Sequence, residues 1–554
     1  MRDLQTKKEI HPAQEAIAAT LILAVFSVAP LILTWDFHWY GNPDQDLVFL
    51  RDGIRLSSGH RPIYAEHPGA LQAMSVGLVR FITSSTKLSA PIGVIPREAD
   101  YQTVFQYTKA LNLFAYAGIL GFTYRLIRTL TRTSAAITWS LLTALSAGYI
   151  VETVQLRNEA FSALLFYLAA ALAAMRYSEP KENRNARNDI MIGIIYISAA
   201  TLSVFAKVQS IILFTLLDAG LILWLSSCKE KARGAVETNI WKWTCLALSL
   251  GMILSATLSL ALNLSKDSIE LVVRAASIAV LLFPVIGSKQ RGPRLELSAL
   301  SISLITFIIL IAGFSLINTE WFTTAFNPLA SKVHAHSAKN CYGTWCLAQN
   351  AKAGILLLFK RAAFTNIGAS AIGAACLSYF WTKLFVQYHN RILKPTLATS
   401  SIVLSLAIFD AGFGISGKAI IAIGSILGFT ANLCIQRYFK AKNYNDVLAQ
   451  LLFWSSITMA LICSLRWPVD HYLLYQQPLL FGALVIELLR VPSRYFIVCA
   501  VASLLLLTRV KLDILENLGA TYQQQLDRSS KHFCAPQHQG KEWSRTFISQ
   551  LECN

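Results

Sequence analysis

The chain reads as an all-α polytopic membrane protein, and three observations lead there. Hydrophobic residues make up 54% of its 554 positions and charged ones only 14%, with a mean hydropathy of +0.48, far more apolar than a soluble domain. Apolar runs approaching the roughly 20 residues that a spanning helix needs recur along the whole length. The basic excess, 49 Lys and Arg against 31 Asp and Glu, falls in the short connections between those runs, which removes nucleic acid as a partner and leaves membrane lipids. On this basis we expect about 13–15 transmembrane helices.

In chain order the runs are Ile17–Trp35, Leu111–Leu126, Ala135–Val151, Ala160–Met175, Ile190–Ala206, Ile211–Trp224, Thr244–Leu262, Leu271–Ile286 and Leu297–Ile317. They continue as Ala363–Phe380, Leu397–Phe409, Ile420–Leu433, Val447–Leu465, Leu473–Leu489 and Phe496–Leu507, the shortest being half-spans or interfacial pieces. Lys7 and Lys8 precede a first run long enough to span, so it reads as an anchor and not as a cleaved signal. Arg125, Arg128 and Arg132, then Lys181, Arg184 and Arg187, then Lys229, Lys231 and Arg233 place their connections in the cytoplasm. Lys289, Arg291 and Arg294 do the same, as do Arg437, Lys440 and Lys442.

The opposite face then carries a long first loop (36–107), a second large loop (318–352), the turn at 466–472 and a polar tail (511–554) that follows a transmembrane domain of residues 1–510. Within the first loop Leu71, Met74, Leu78 and Ile82 recur at helical spacing with Arg80 among them, as in an amphipathic helix lying in the interface. Cys245, Cys376, Cys434, Cys463 and Cys499 sit in apolar runs and read as small buried residues. For His334, His336, Cys341 and Cys346 a Cys341–Cys346 disulfide, an unlinked loop and a metal site all stay open. Cys534 and Cys553 fall in the tail.

The segment from Asp44 to Leu71 concentrates acids, a His and several Arg in the first exposed loop, where a membrane protein places chemistry or ligand binding. Asp44, Leu56 and Gly59, followed by Tyr64, Glu66, His67, Pro68 and Leu71, resemble the first external loop of the GT-C superfamily of polytopic glycosyltransferases. The likeness is to its protein O-mannosyltransferase and lipid A aminoarabinose transferase branches, with two departures. Gln45 replaces the second acid, with Asp46 one place later, and His67 replaces a Lys. Arg157 and Glu159 at the fourth run, Lys207 and Gln209 after the fifth, and Arg466, His471, Tyr472 and Pro478 late in the chain echo the family's order.

That resemblance implies a GT-C-like fold and transfer of a sugar from a polyprenyl-phosphate donor to a lipid, glycan or protein acceptor at the external face. Asp44 or Asp46 would serve as base. Arg61, Arg157, Lys207 and Arg466, with His67 and His471, would meet the departing phosphate, and Glu66, Glu159 and Tyr472 would complete the binding set. No cofactor and no metal ligand set are expected, although a divalent ion stays open. Each residue also has a plain structural reading: Asp44 and Asp46 as helix caps, Arg157 and Glu159 as an ion pair, Lys207 as a snorkelling side chain. A transporter or flippase of lipid-linked saccharides is the alternative. It would place ionisable residues inside the spans, which read as clean apart from Asp218, Lys360 and Arg361. A bacterial inner membrane is the expected location, with the endoplasmic reticulum still open.

Overall fold

The computed structural model describes residues 28, 31–37, 46–62, 70–94, 96, 98–131, 133–157, 159–178, 186–207, 210, 214, 305–314, 316–317, 344–360, 366–385, 393–410, 412–438, 443–464 and 473–533. Among them there is no strand. The first loop supplies α1 (Asp46–Ser57) and α2 (Ala70–Ser85), followed by α3 (Glu98–Leu130), α4 (Thr133–Ala144), α5 (Ala147–Val154), α6 (Glu159–Ser178) and α7 (Ala186–Ala206). After a helical stretch at Ile305–Phe314 come α8 (Thr344–Lys360), α9 (Asn366–Phe385), α10 (Leu393–Phe409) and α11 (Ile415–Tyr438). The chain ends in α12 (Asn443–Ser464), α13 (Leu473–Leu488) and α14 (Ser493–Phe533).

Three stretches are long and apolar enough to cross a membrane, Ala99–Thr129, Ile415–Cys434 and Tyr495–Asn517, and the bent pair α4 and α5 makes a fourth. The outward faces agree with a hydrocarbon surround: Leu427 of α11 is 62% exposed and Leu505 of α14 is 68% exposed, each beside other exposed aliphatic side chains. Among the described residues the fold is entirely helical, and the long apolar helices mark a membrane protein.

The bundle is organised on α13, which is buried on every side and packs against α4, α5, α6, α8 and α12. Such a helix has no face to give to water, so its sequence is mostly apolar, and its few polar side chains, Gln476, Gln477 and Glu487, find partners inside the protein. Its neighbours approach at backbone distance. A Cβ on Gly148 of α5 would stand 2.1 Å from the Leu474 nitrogen, and one on Gly482 would stand 2.7 Å from the Trp139 ring. The Trp139 indole N–H of α4 donates to the carbonyl of Pro478, and the Gly148 N–H donates to Gln477 Oε1 at 3.3 Å. A second close pair is α9 with α11, where Gly424 and Gly428 face Ala371 and Ala375. A Cβ at those glycines would lie 2.5 and 2.0 Å from the facing carbonyl oxygens.

Two expected runs take a different form. Ala135–Val151 is not one helix: it breaks at Leu145 and Ser146 and turns by 55°. Ser146 stands extended (φ −68°, ψ 145°), and its hydroxyl accepts from the Tyr149 N–H, capping α5 as a new helix. Phe496–Leu507 is the early part of a 41-residue helix that passes without a break through the 510/511 boundary. The polar residues beyond Arg509 are good helix formers, and polarity alone does not end a helix.

The α9–α11 contact makes a direct prediction. Gly428→Leu drives a side chain into the Ala375 backbone, and overpacking of this kind costs about 1–3 kcal/mol or more. The thermal unfolding midpoint in detergent should fall clearly, while the control Gly519→Leu, at a glycine with open space around it, should leave the midpoint in place.

Candidate functional site

The charged residues at the ends of α5, α6 and α7 meet at one end of the bundle. Glu159 is the first residue of α6 and Lys207 directly follows α7, so two antiparallel helices present opposite charges at the same level. Lys207 Nζ lies 2.7 Å from Glu159 Oε1, with side chains only 7% and 1% exposed. One turn further in, Ser162 and Ser203 donate reciprocally to each other's backbone carbonyls at 3.1 and 2.9 Å, locking the two helices in register beneath the ion pair.

Beside this pair the chain leaves α5 through Gln155, Leu156 and Arg157. The Gln155 N–H closes the helix on the Glu152 carbonyl at 3.2 Å. Arg157 Nε donates to Gln155 Oε1 at 2.6 Å and stands 3.9 Å from Glu152 Oε1. Neither η nitrogen of Arg157 bonds to a described residue, although Arg157 is only 8% exposed. Two phenols brace the segment from either side. Tyr116 of α3 donates to the Glu152 carbonyl, and Tyr475 of α13 donates to the Glu159 carbonyl at 3.3 Å. Tyr116 is in electrostatic reach of Glu152, Glu159 and Arg157, and Cys463 of α12 is in reach of Lys207 and Glu159, so the four charges form one cluster.

Leu156 connects this turn to the first loop. It is fully buried in a small apolar cluster with Phe49, Leu50 and Ile54 of α1, Val76 and Val79 of α2, and Tyr101, Val104 and Phe105 of α3. The helix that begins at Asp46 is thereby docked against the residue preceding Arg157. Gly53 of α1 and Gly77 of α2 allow that hairpin to close, since a Cβ on Gly53 would stand 2.4 Å from Val76.

Arg157, Glu159 and Lys207 are brought together. Asp46 opens α1, and its side chain lies outside what is described; Arg61 is exposed, its carbonyl accepting from Arg55 Nε at 3.0 Å. Asp44, Glu66, His67, Gln209, His334, His336, Cys341, Arg466, His471 and Tyr472 lie outside the described residues, so this geometry neither gathers nor separates them. Glu152 is the member that sequence reasoning missed. It is fully buried one position beyond the end of the expected Ala135–Val151 run, and an acid bordering an apolar stretch was the available signal. Among the described residues no three His, Cys, Asp or Glu side chains converge as metal ligands.

The expectation of clean spans needs correction. At the far end of α13, Glu487 pairs with Lys383 of α9 and accepts from the Tyr379 hydroxyl at 2.6 Å, and Arg490 Nε lies 2.9 Å from Glu487 Oε2. Glu487 falls inside the expected Leu473–Leu489 run, near the end of α13, whereas Lys383 lies three residues beyond the expected Ala363–Phe380 run because α9 continues to Phe385. Lys360 is exposed, and Asp218 and Arg361 lie outside the described residues.

The chemistry open to the first cluster follows from its donor set. A guanidinium anchored on its ε edge leaves a two-pronged donor for a phosphate or carboxylate. The buried carboxylates of Glu152 and Glu159 supply proton acceptors within the same cluster. Comparison of the chain with family models, curated proteins and solved structures returns no match.

Removing one partner of a buried pair strands the other charge, at about 3–5 kcal/mol. Lys207→Met should lower the unfolding midpoint strongly, and Lys207→Met combined with Glu159→Gln should recover much of the loss. A double-mutant cycle in detergent measures this coupling.

Proposed function

We propose that this protein is an integral-membrane glycosyltransferase that moves a sugar from a polyprenyl-phosphate donor to a lipid, glycan or protein acceptor. The observation that carries the reading is the Arg157 guanidinium, held on its ε edge by Gln155 and, among the described residues, open on its η edge inside a buried cluster that includes two carboxylates. A departing lipid phosphate offers the two oxygens that such a fork accepts, and its growing charge is what the fork stabilises. The first-loop pattern around Asp44 and Asp46 supplies the sugar-transfer chemistry, and the docking of α1 beside Leu156 is consistent with that loop serving the same site. We propose the bacterial inner membrane as the location, with the site on the periplasmic face.

Mass spectrometry of envelope glycolipids and glycans in a deletion strain tests the reading. One sugar should disappear, and wild type should restore it. Arg157→Lys, which keeps the charge but loses the fork, should restore it poorly at matched membrane levels, with a loss of at least about tenfold for one lost bidentate contact. Full restoration by Arg157→Ala would remove the phosphate role.

A second reading, transport of a lipid-linked saccharide, is favoured by one observation: the Lys383–Glu487–Arg490 group in otherwise apolar helices. Proteoliposomes loaded with a fluorescent lipid-linked saccharide separate the two readings. Translocation that Lys383→Met abolishes, with no glycan transfer, would replace the enzyme reading.

A further inference from the structure

The hairpin from α2 to the start of α3 buries both polar and apolar side chains yet leaves an aliphatic stripe on its outer face, where a water-soluble fold would place polar groups. Facing inward on α2 are Gln72, Ser75, Arg80 and Thr83, all below 9% exposure. Facing outward are Met74, Leu78, Phe81 and Ile82, between 40% and 57% exposed, at the i, i+4, i+7 and i+8 positions of a single helical stripe. The apolar exposure continues past the helix, where Leu88, Ile92 and Val94 are also exposed.

This loop is bolted in place by polar groups turned toward the protein. Arg80 donates from Nη1 to Ser89 Oγ at 2.6 Å and from Nη2 to the Pro91 carbonyl at 3.3 Å. Asp100 of α3 accepts from the Ala90 N–H at 2.7 Å. Arg80 is thus turned to internal fixation while Lys87 and the aliphatic side chains of the stripe face the surround. In water that arrangement is unfavourable because apolar surface stays exposed, whereas against acyl chains it is favourable.

We infer that the outward face of residues 74–94 is seated in the lipid surface, at the boundary between headgroups and acyl chains. The occupant is bilayer lipid because the surface is continuous with a membrane-crossing element: the chain enters the Ala99–Thr129 span five residues after Val94. On its other side α2 buries Val76 and Val79 in the cluster that contains Leu156. The hairpin thus forms a wall with lipid on one face and the Arg157 turn behind the other. This inference concerns where the hairpin sits and does not depend on the reaction catalysed.

Phe81→Trp and, separately, Leu88→Trp in the full chain, reconstituted in phosphatidylcholine vesicles, test it. The signal is read as the difference from wild type, whose 12 tryptophans supply the background. We expect the added fluorescence to be lost in vesicles of lipid brominated near the ester end of the acyl chain, less so with bromine at the chain end, and to resist aqueous acrylamide. Quenching by acrylamide with no effect of brominated lipid would overturn the inference and place the face in water. Protection from both quenchers would also overturn it, assigning the face to a second copy or another protein.

Discussion

The Glu159–Lys207 pair is the interaction on which the rest of this end of the bundle depends. An isolated carboxylate or ammonium among apolar helices would be expelled or neutralised, so each fixes the position of the other and, with it, the ends of α6 and α7. The Ser162–Ser203 exchange one turn below continues the same registration in neutral form. With those two helices set, Tyr475 of α13 finds the Glu159 carbonyl and the central helix is fixed in depth. The ion pair adds little net stability over an apolar packing of the same volume. What it supplies is a single geometry for charges that would otherwise have several.

Among the described residues, that geometry leaves the guanidinium of Arg157 committed on one edge only. Gln155 is the reason: its Oε1 takes the Nε hydrogen at 2.6 Å, and Glu152 stands further off at 3.9 Å. A guanidinium clamped bidentate by Glu152 would be neutralised and unavailable to a ligand. An amide oxygen orients the group without cancelling its charge, and the bend at Ser146 brings Glu152 and Gln155 to the level of Glu159. The local break in an apolar run and the open guanidinium are therefore parts of one arrangement.

Sequence reading reached Arg157, Glu159 and Lys207 because they stand at the ends of apolar runs in an order that resembles the GT-C pattern. It did not reach Glu152 or the Lys383–Glu487 pair: Glu487 is a single charge averaged into the Leu473–Leu489 run, Glu152 and Lys383 lie just beyond the ends of theirs, and hydropathy says nothing about which helices will meet. The break at Ser146 was hidden for a related reason: Ser is tolerated inside a helix, and the close approach of α13 to Gly148 that accompanies the change of direction is not visible in the sequence. The stripe at Met74, Leu78 and Ile82 was legible as a pattern, but not that its polar partner face, with Arg80, would turn inward.

The two charged centres lie at opposite ends of α13, and what separates them bears on how the molecule is used. From Tyr475 to Glu487 is twelve residues of helix, roughly 18 Å at 1.5 Å per residue. Between them Leu479, Leu480, Phe481, Ala483, Val485 and Ile486 are all buried, closed in by Trp139 on one side. A path for a charged headgroup along this helix would have to open that apolar packing over its whole length, whereas a reaction confined to the Arg157 end asks nothing of it. The same helix that joins the centres mechanically insulates them electrically. On the proposed reading the chemistry keeps to the Arg157 end, and the Lys383–Glu487 group holds α9 against the far end of α13.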